Sequence, residues 1–102
     1  MKALEVVISN IQLRPISTQN GLVAFASCEL NNCFFVGSIA LYTSPTHSFG
    51  YRCVFPTKKL ASGKQVPCFY PFRRDVEEAV TKSIVDKYVE LMGGFPYIER
   101  VG

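Results

Sequence analysis

Apolar and polar residues alternate from the start of the chain. Over residues 3 to 14, Leu4, Val6 and Ile8 fall on one face and Glu5, Val7 and Ser9 on the other, which predicts a β-strand. Residues 15 to 21, from Pro15 to Gly21, read as a polar turn region. The clearest hairpin joins Leu22–Leu30 to Cys33–Tyr42 through Asn31-Asn32, two residues that tolerate positive φ. A two-residue loop places Ala24, Ala26, Cys28 and Leu30 on one face with Cys33, Phe35, Gly37 and Ile39. The other face then carries Val23, Phe25 and Glu29 with Phe34, Val36 and Tyr42. Both faces are largely apolar. One helix covers one of them, and a partner subunit is the simplest cover for the second.

Residues 43 to 49 have turn chemistry, with Ser44-Pro45 followed by His47-Ser48. Tyr51–Phe55 is a short fourth strand, ended or placed at an edge by Pro56. A basic loop runs from Pro56 to Lys64, and Gln65–Tyr70 reads as a fifth strand that Pro67 confines to an edge. The period then changes. Val76, Ala79, Val80, Ser83, Ile84, Tyr88 and Leu91 recur at three and four residues, which predicts an amphipathic helix of about five turns. Asp75 is the expected N-cap, Glu77 and Glu78 suit the helix dipole, and Gly93-Gly94 stops the helix. Val85, Val89 and Met92 widen its apolar stripe, as subunit contact would require. The pattern predicts an α+β fold: an antiparallel sheet of about five strands, then one long C-terminal helix, as a homodimer. Residues 1–92 form the single domain and 93–102 a tail.

The chain of 102 residues is 48% hydrophobic, with eight Phe and five Tyr, which excludes disorder. No apolar run reaches the ~20 residues of a membrane span. The N-terminus does not read as a signal peptide, so a cytoplasmic protein is expected. Cys28, Cys33, Cys53 and Cys68 contain no C-x-x-C pair, so zinc is poorly supported. Cys28 and Cys33 would sit diagonally, roughly 7 Å apart, too far for an unstrained disulfide. All four are expected to be reduced core residues.

Charge changes the picture most. The net charge is only +3, yet residues 31 to 74 hold no Asp or Glu and carry Arg52, Lys58, Lys59, Lys64, Arg73 and Arg74. Basic side chains without local carboxylates favour an anionic partner, most commonly nucleic acid, although a solvated hairpin tip has the same composition. Catalytic chemistry is poorly supplied. His47 is the only histidine and lies in a Ser/Thr/Pro loop. Glu77 and Glu78 are adjacent on a helix and diverge. Ser62-Gly63-Lys64 lacks the glycine a P-loop needs at Lys58 and the Ser or Thr it needs at Gln65. No enzyme, cofactor, metal or small-molecule substrate is expected.

The order of the elements resembles the stage V sporulation protein G (SpoVG) family of septation proteins. The likeness runs from residue 1 to about 91. It is carried by Gly21-Leu22-Val23-Ala24-Phe25-Ala26-Ser27, by Val54-Phe55-Pro56-Thr57-Lys58-Lys59, and by a terminal helix with Val76-Glu77-Glu78-Ala79-Val80 and Lys87-Tyr88. The resemblance implies a small α+β protein that dimerises through its sheet and C-terminal helix. It also implies a nucleic-acid-binding regulator tied to septation, sporulation or gene regulation. Lys58 and Lys59 match the family's basic positions, and Lys64-Gln65 stand where relatives tend to have a carboxylate. Lys58, Lys59 and Lys64 are therefore expected on phosphates, with Arg73, Arg74 and Arg52 beside them. Tyr51, Phe69 or Tyr70 could add stacking to single-stranded bases. The alternative is an adaptor of the division machinery that offers this basic face to an acidic protein.

Overall fold

A computed structural model describes residues 6–47 and 49–93. The chain is α+β. Strands β1 (Ile8–Gln19), β2 (Leu22–Leu30), β3 (Phe34–Thr43) and β4 (Tyr51–Val54) form an antiparallel sheet in sequential order. Strands β5 (Thr57–Lys59) and β6 (Gln65–Pro67) form a separate two-stranded ribbon, and helix α1 (Arg74–Leu91) closes the described chain. The expected single sheet of about five strands is therefore divided. Pro56 breaks the run out of β4, and β5 and β6 pair only with each other.

The core lies between the sheet and α1. Ala24, Ala26 and Cys28 of β2, Val36, Ile39 and Leu41 of β3, and Val80, Ile84 and Val85 of α1 are all buried. Val80 and Ile84 recur at the expected spacing because one stripe of the helix faces the sheet, but Val85, expected to widen the stripe for subunit contact, is buried in the chain's own core. Tyr51 of β4 and Tyr88 of α1 meet edge to face at 5.7 Å and tie the helix to the sheet's edge.

Local turns correct several sequence expectations. Pro15 does not end β1; it pairs with Ala24, and the strand continues to Gln19. β1 is the outer strand of the sheet, where a residue lacking an N–H is tolerated. The real turn is Asn20-Gly21, with φ of 54° and 89°, the signature of a two-residue hairpin. The next hairpin pairs Leu30 with Phe34, so Cys33 belongs to the loop with Asn31 and Asn32. Asn31 also pins the start of the sheet: its Oδ1 accepts from Val7 N–H at 2.7 Å, and its own N–H donates to Val7 O at 2.7 Å.

The faces of β3 are reversed from prediction only at its start, from Phe34 to Val36; an irregularity then restores the predicted phase, with Ile39 inside as expected. Cys28 pairs with Val36, but Ala26 pairs with Ile39, so β3 holds one extra residue there. Ser38, at φ 58°, takes the left-handed conformation of a bulge. Val36 is therefore in the core, whereas Phe35, expected inside, is 72% exposed.

The helix begins two residues earlier than expected. Arg73 is the N-cap residue, without a side-chain cap, and Asp75 lies inside the first turn. Asp75 still serves the helix start, since its Oδ1 accepts from Val76 N–H at 2.8 Å. All four cysteines are free, but only Cys28 is buried and Cys53 half-buried; Cys33 and Cys68 are exposed, not core residues. Burial raises the Cys28 thiol pKa and lifts that of Cys53 to about 11. Most of the tail, residues 94–102, lies outside the described residues.

Candidate nucleic-acid interface

Lys58 and Lys59 are strand residues, not loop residues. Lys58 pairs with Val66 and Lys59 with Gln65, and alternation along β5 directs the two side chains to opposite faces of the ribbon. The tip is a β-turn in which Gly63 N–H donates to Leu60 O at 2.8 Å, and Gly63 sits at φ +91° in open space. Leu60 N–H donates to Lys64 O at 2.8 Å, which brings Lys64 back beside the strand end. Thr57 Oγ1 donates to Gln65 Oε1 at 2.6 Å, and Cys68 N–H donates to Pro56 O at 3.0 Å, which closes the base. The ribbon packs only marginally on other elements. Lys58, Lys59 and Lys64 are exposed and form no ion pair among the described residues.

The arginines behave differently. Arg73 Nη2 lies 2.6 Å from Asp75 Oδ2, and Arg74 Nε lies 3.7 Å from Glu78 Oε2. These carboxylates come directly after the acid-free window, so the helix start neutralises arginines that the window by itself leaves unpaired. Arg52 sits on β4 with its guanidinium carbon 5.0 Å from the Tyr42 ring centroid, a cation–π contact. Arg52 and Arg74 border one groove together with Glu77 and Glu78. The six basic residues thus divide between the unpaired ribbon of Lys58, Lys59 and Lys64, the mixed-charge groove that Arg52 and Arg74 border, and Arg73, held by Asp75.

Of the three aromatics expected to stack, Tyr51 is buried against Tyr88 and unavailable, while Phe69 and Tyr70 are 40% and 55% exposed. Sequence reasoning missed Phe25 and Phe35, which stand on the sheet face away from α1. Regular alternation assigns Phe35 to the core, and only the Ser38 bulge moves it out. Among the described residues, no cluster of His, Cys, Asp or Glu could hold a metal ion, and no helix is long and apolar enough to cross a membrane. His47 Nδ1 lies 2.5 Å from Ser44 Oγ, where it braces its own loop.

The SpoVG family model matches residues 6–90. Two similar curated proteins are each called "Putative septation protein SpoVG", one from Caldicellulosiruptor saccharolyticus and one from Caldicellulosiruptor bescii. Each is 22% identical over 81 residues, covering 79% of this chain and 89% of the relative. The match spans all six strands and nearly the whole helix, so the basic ribbon lies within the shared domain. With most of its length matched, this chain belongs to the SpoVG family.

Proposed function

We propose that the protein is a non-enzymatic, homodimeric regulator that binds nucleic acid through the β5–β6 ribbon. One observation carries the reading: Lys58, Lys59 and Lys64 project from an exposed ribbon with no carboxylate paired to them among the described residues. Such a ribbon suits a phosphate backbone, because both faces are basic and no local ion pair must break on binding. Arg52 and Arg74 add weaker attraction, since Glu77 and Glu78 share their groove.

The dimer is supported by apolar side chains at the two ends of α1. Phe72 is 88% exposed just before the helix, and Leu91 and Met92 are 51% and 56% exposed at its end. A two-fold interface would pair one end with the other end of the partner's helix.

The names of the septation relatives favour a second reading, in which the ribbon holds an acidic protein of the division machinery. A gel-shift panel of duplex DNA, single-stranded DNA and RNA at two salt concentrations separates the readings. Nucleic-acid binding with steep salt dependence is expected; no binding to any of the three moves the adaptor ahead.

A further inference from the structure

The β5–β6 ribbon carries a lysine on each of its two sides. Lys58 lies opposite Val66 and shares its face. Lys59 lies opposite Gln65 and takes the other face with Thr57, whose Oγ1 donates to Gln65 Oε1 at 2.6 Å. Of the residues in the two strands only Val66 is half-buried; the rest are exposed. The tip is narrow, because it turns on Ala61, Ser62 and Gly63, and Gly63 faces open space. Residues 57 to 67 hold no carboxylate and no aromatic ring.

We infer that the ribbon enters the major groove of B-form DNA tip first, with Lys58 reaching the phosphates of one strand and Lys59 those of the other. The inference rests on the nucleic-acid reading above and adds the form of nucleic acid and the way it is held. Lysines on opposite faces cannot both rest on a flat anionic surface, since one of them then points away from it. A groove has a phosphate wall on either side, so each lysine meets one. The dimensions agree. The major groove, about 12 Å wide and about 8.5 Å deep, admits a two-stranded ribbon, whereas the minor groove, about 6 Å wide, does not. Three strand residues at about 3.3 Å each give the ribbon a reach of roughly 10 Å before its turn, enough to bring the tip to the base edges.

Other forms of nucleic acid fit this ribbon less well. A single strand offers one backbone, and its bases add affinity by stacking on aromatic rings, which the ribbon lacks. Phe55, Phe69 and Tyr70 flank the base of the ribbon, at the far end from its tip, where they border an apolar cleft with Val76. Duplex RNA keeps a major groove too deep and narrow for side chains to read.

The test uses the whole chain and three duplexes of one length: plain DNA, RNA, and DNA whose cytosines carry glucosylated hydroxymethyl groups that fill the major groove. Blocking the major groove should weaken binding by about tenfold or more. Duplex RNA should bind weaker than plain DNA by a similar factor, about tenfold. Netropsin, which fills the minor groove, should leave affinity for plain DNA unchanged. Lys58→Ala and Lys59→Ala, made separately, should each flatten the log–log salt slope on plain DNA by about 0.9. Equal affinity for the blocked and plain duplexes, or competition by netropsin, overturns groove insertion while leaving ribbon binding intact. A slope that moves for one lysine only means that the ribbon lies flat on its partner, and the inference also fails. No binding of the parent protein to any nucleic acid would defeat the proposed function together with this inference.

Discussion

Arg73 and Asp75 form a two-point pair: Nη2 lies 2.6 Å from Oδ2, and Nε donates to Oδ1 at 3.1 Å. The hydrogen bonds from Arg73 are the largest cause holding the Asp75 carboxyl below its usual range. The pair is exposed, so it contributes little to stability. Its consequence is to occupy a guanidinium that the charge pattern alone assigns to phosphate. Asp75→Asn removes the carboxylate charge that offsets Arg73 and should strengthen its attraction to phosphate, steepening the log–log salt slope on duplex DNA by up to about 0.9. An unchanged slope would mean that Arg73 lies outside the binding surface.

The Cys53 thiol gives a pH signature. Its folded pKa is raised to about 11 from an ordinary 9.0, chiefly because burial disfavours the thiolate. A raised pKa contributes stability that is complete below pH 9 and is lost as pH rises toward 11, since the unfolded chain releases this proton first. Thermal melts should show a falling Tm across that interval. Cys53→Ala should flatten the fall, and an identical alkaline limb in the variant would show that other groups dominate.

Ser38 occupies left-handed backbone at φ 58°, which a serine adopts at some cost. Ser38→Gly should therefore be neutral or stabilising, by up to about 1 kcal/mol. Chemical denaturation measures this directly. A loss of more than about 1 kcal/mol would mean that the bulge is not positioned as described, and with it the exposure of Phe35.

Light scattering at micromolar concentration should report twice the 11.4 kDa chain mass. Phe72→Asp with Met92→Asp should yield a folded monomer, because both side chains are exposed in a single chain and neither supports its core. A parent protein that is monomeric at every concentration would remove the dimer from the account.

Much of the fold is legible from residue order. The helix period from Val76 to Tyr88 and the existence of the β2–β3 hairpin, though not its register, come from spacing. The ribbon's charge is equally plain. What the sequence conceals is phase. Pro15 reads as a terminator because its position at the sheet's edge is a tertiary fact. The start of β3 comes out inverted, while Ile39 stays inside, because nothing in Val36-Gly37-Ser38-Ile39 marks a one-residue bulge in advance. A single such residue exchanges Val36 and Phe35 between core and surface. The arginines are misread for another reason: the acid-free window ends at Arg74, and the fold brings back Asp75 and Glu78 from just beyond it.

The central claim is that the β5–β6 ribbon carries the affinity for nucleic acid and not the fold. Lys58→Ala, Lys59→Ala and Lys64→Ala combined test it most directly, through the salt dependence of binding. Removing one phosphate contact flattens the slope by about 0.9 on duplex and about 0.7 on single strands. The triple variant should lower the slope by roughly 2 to 3 and weaken all sequences alike. Each exposed substitution should change stability by no more than about 0.5 kcal/mol. A folded triple variant that binds DNA and RNA as tightly as the parent at low salt would contradict the account and leave the ribbon a solvated tip.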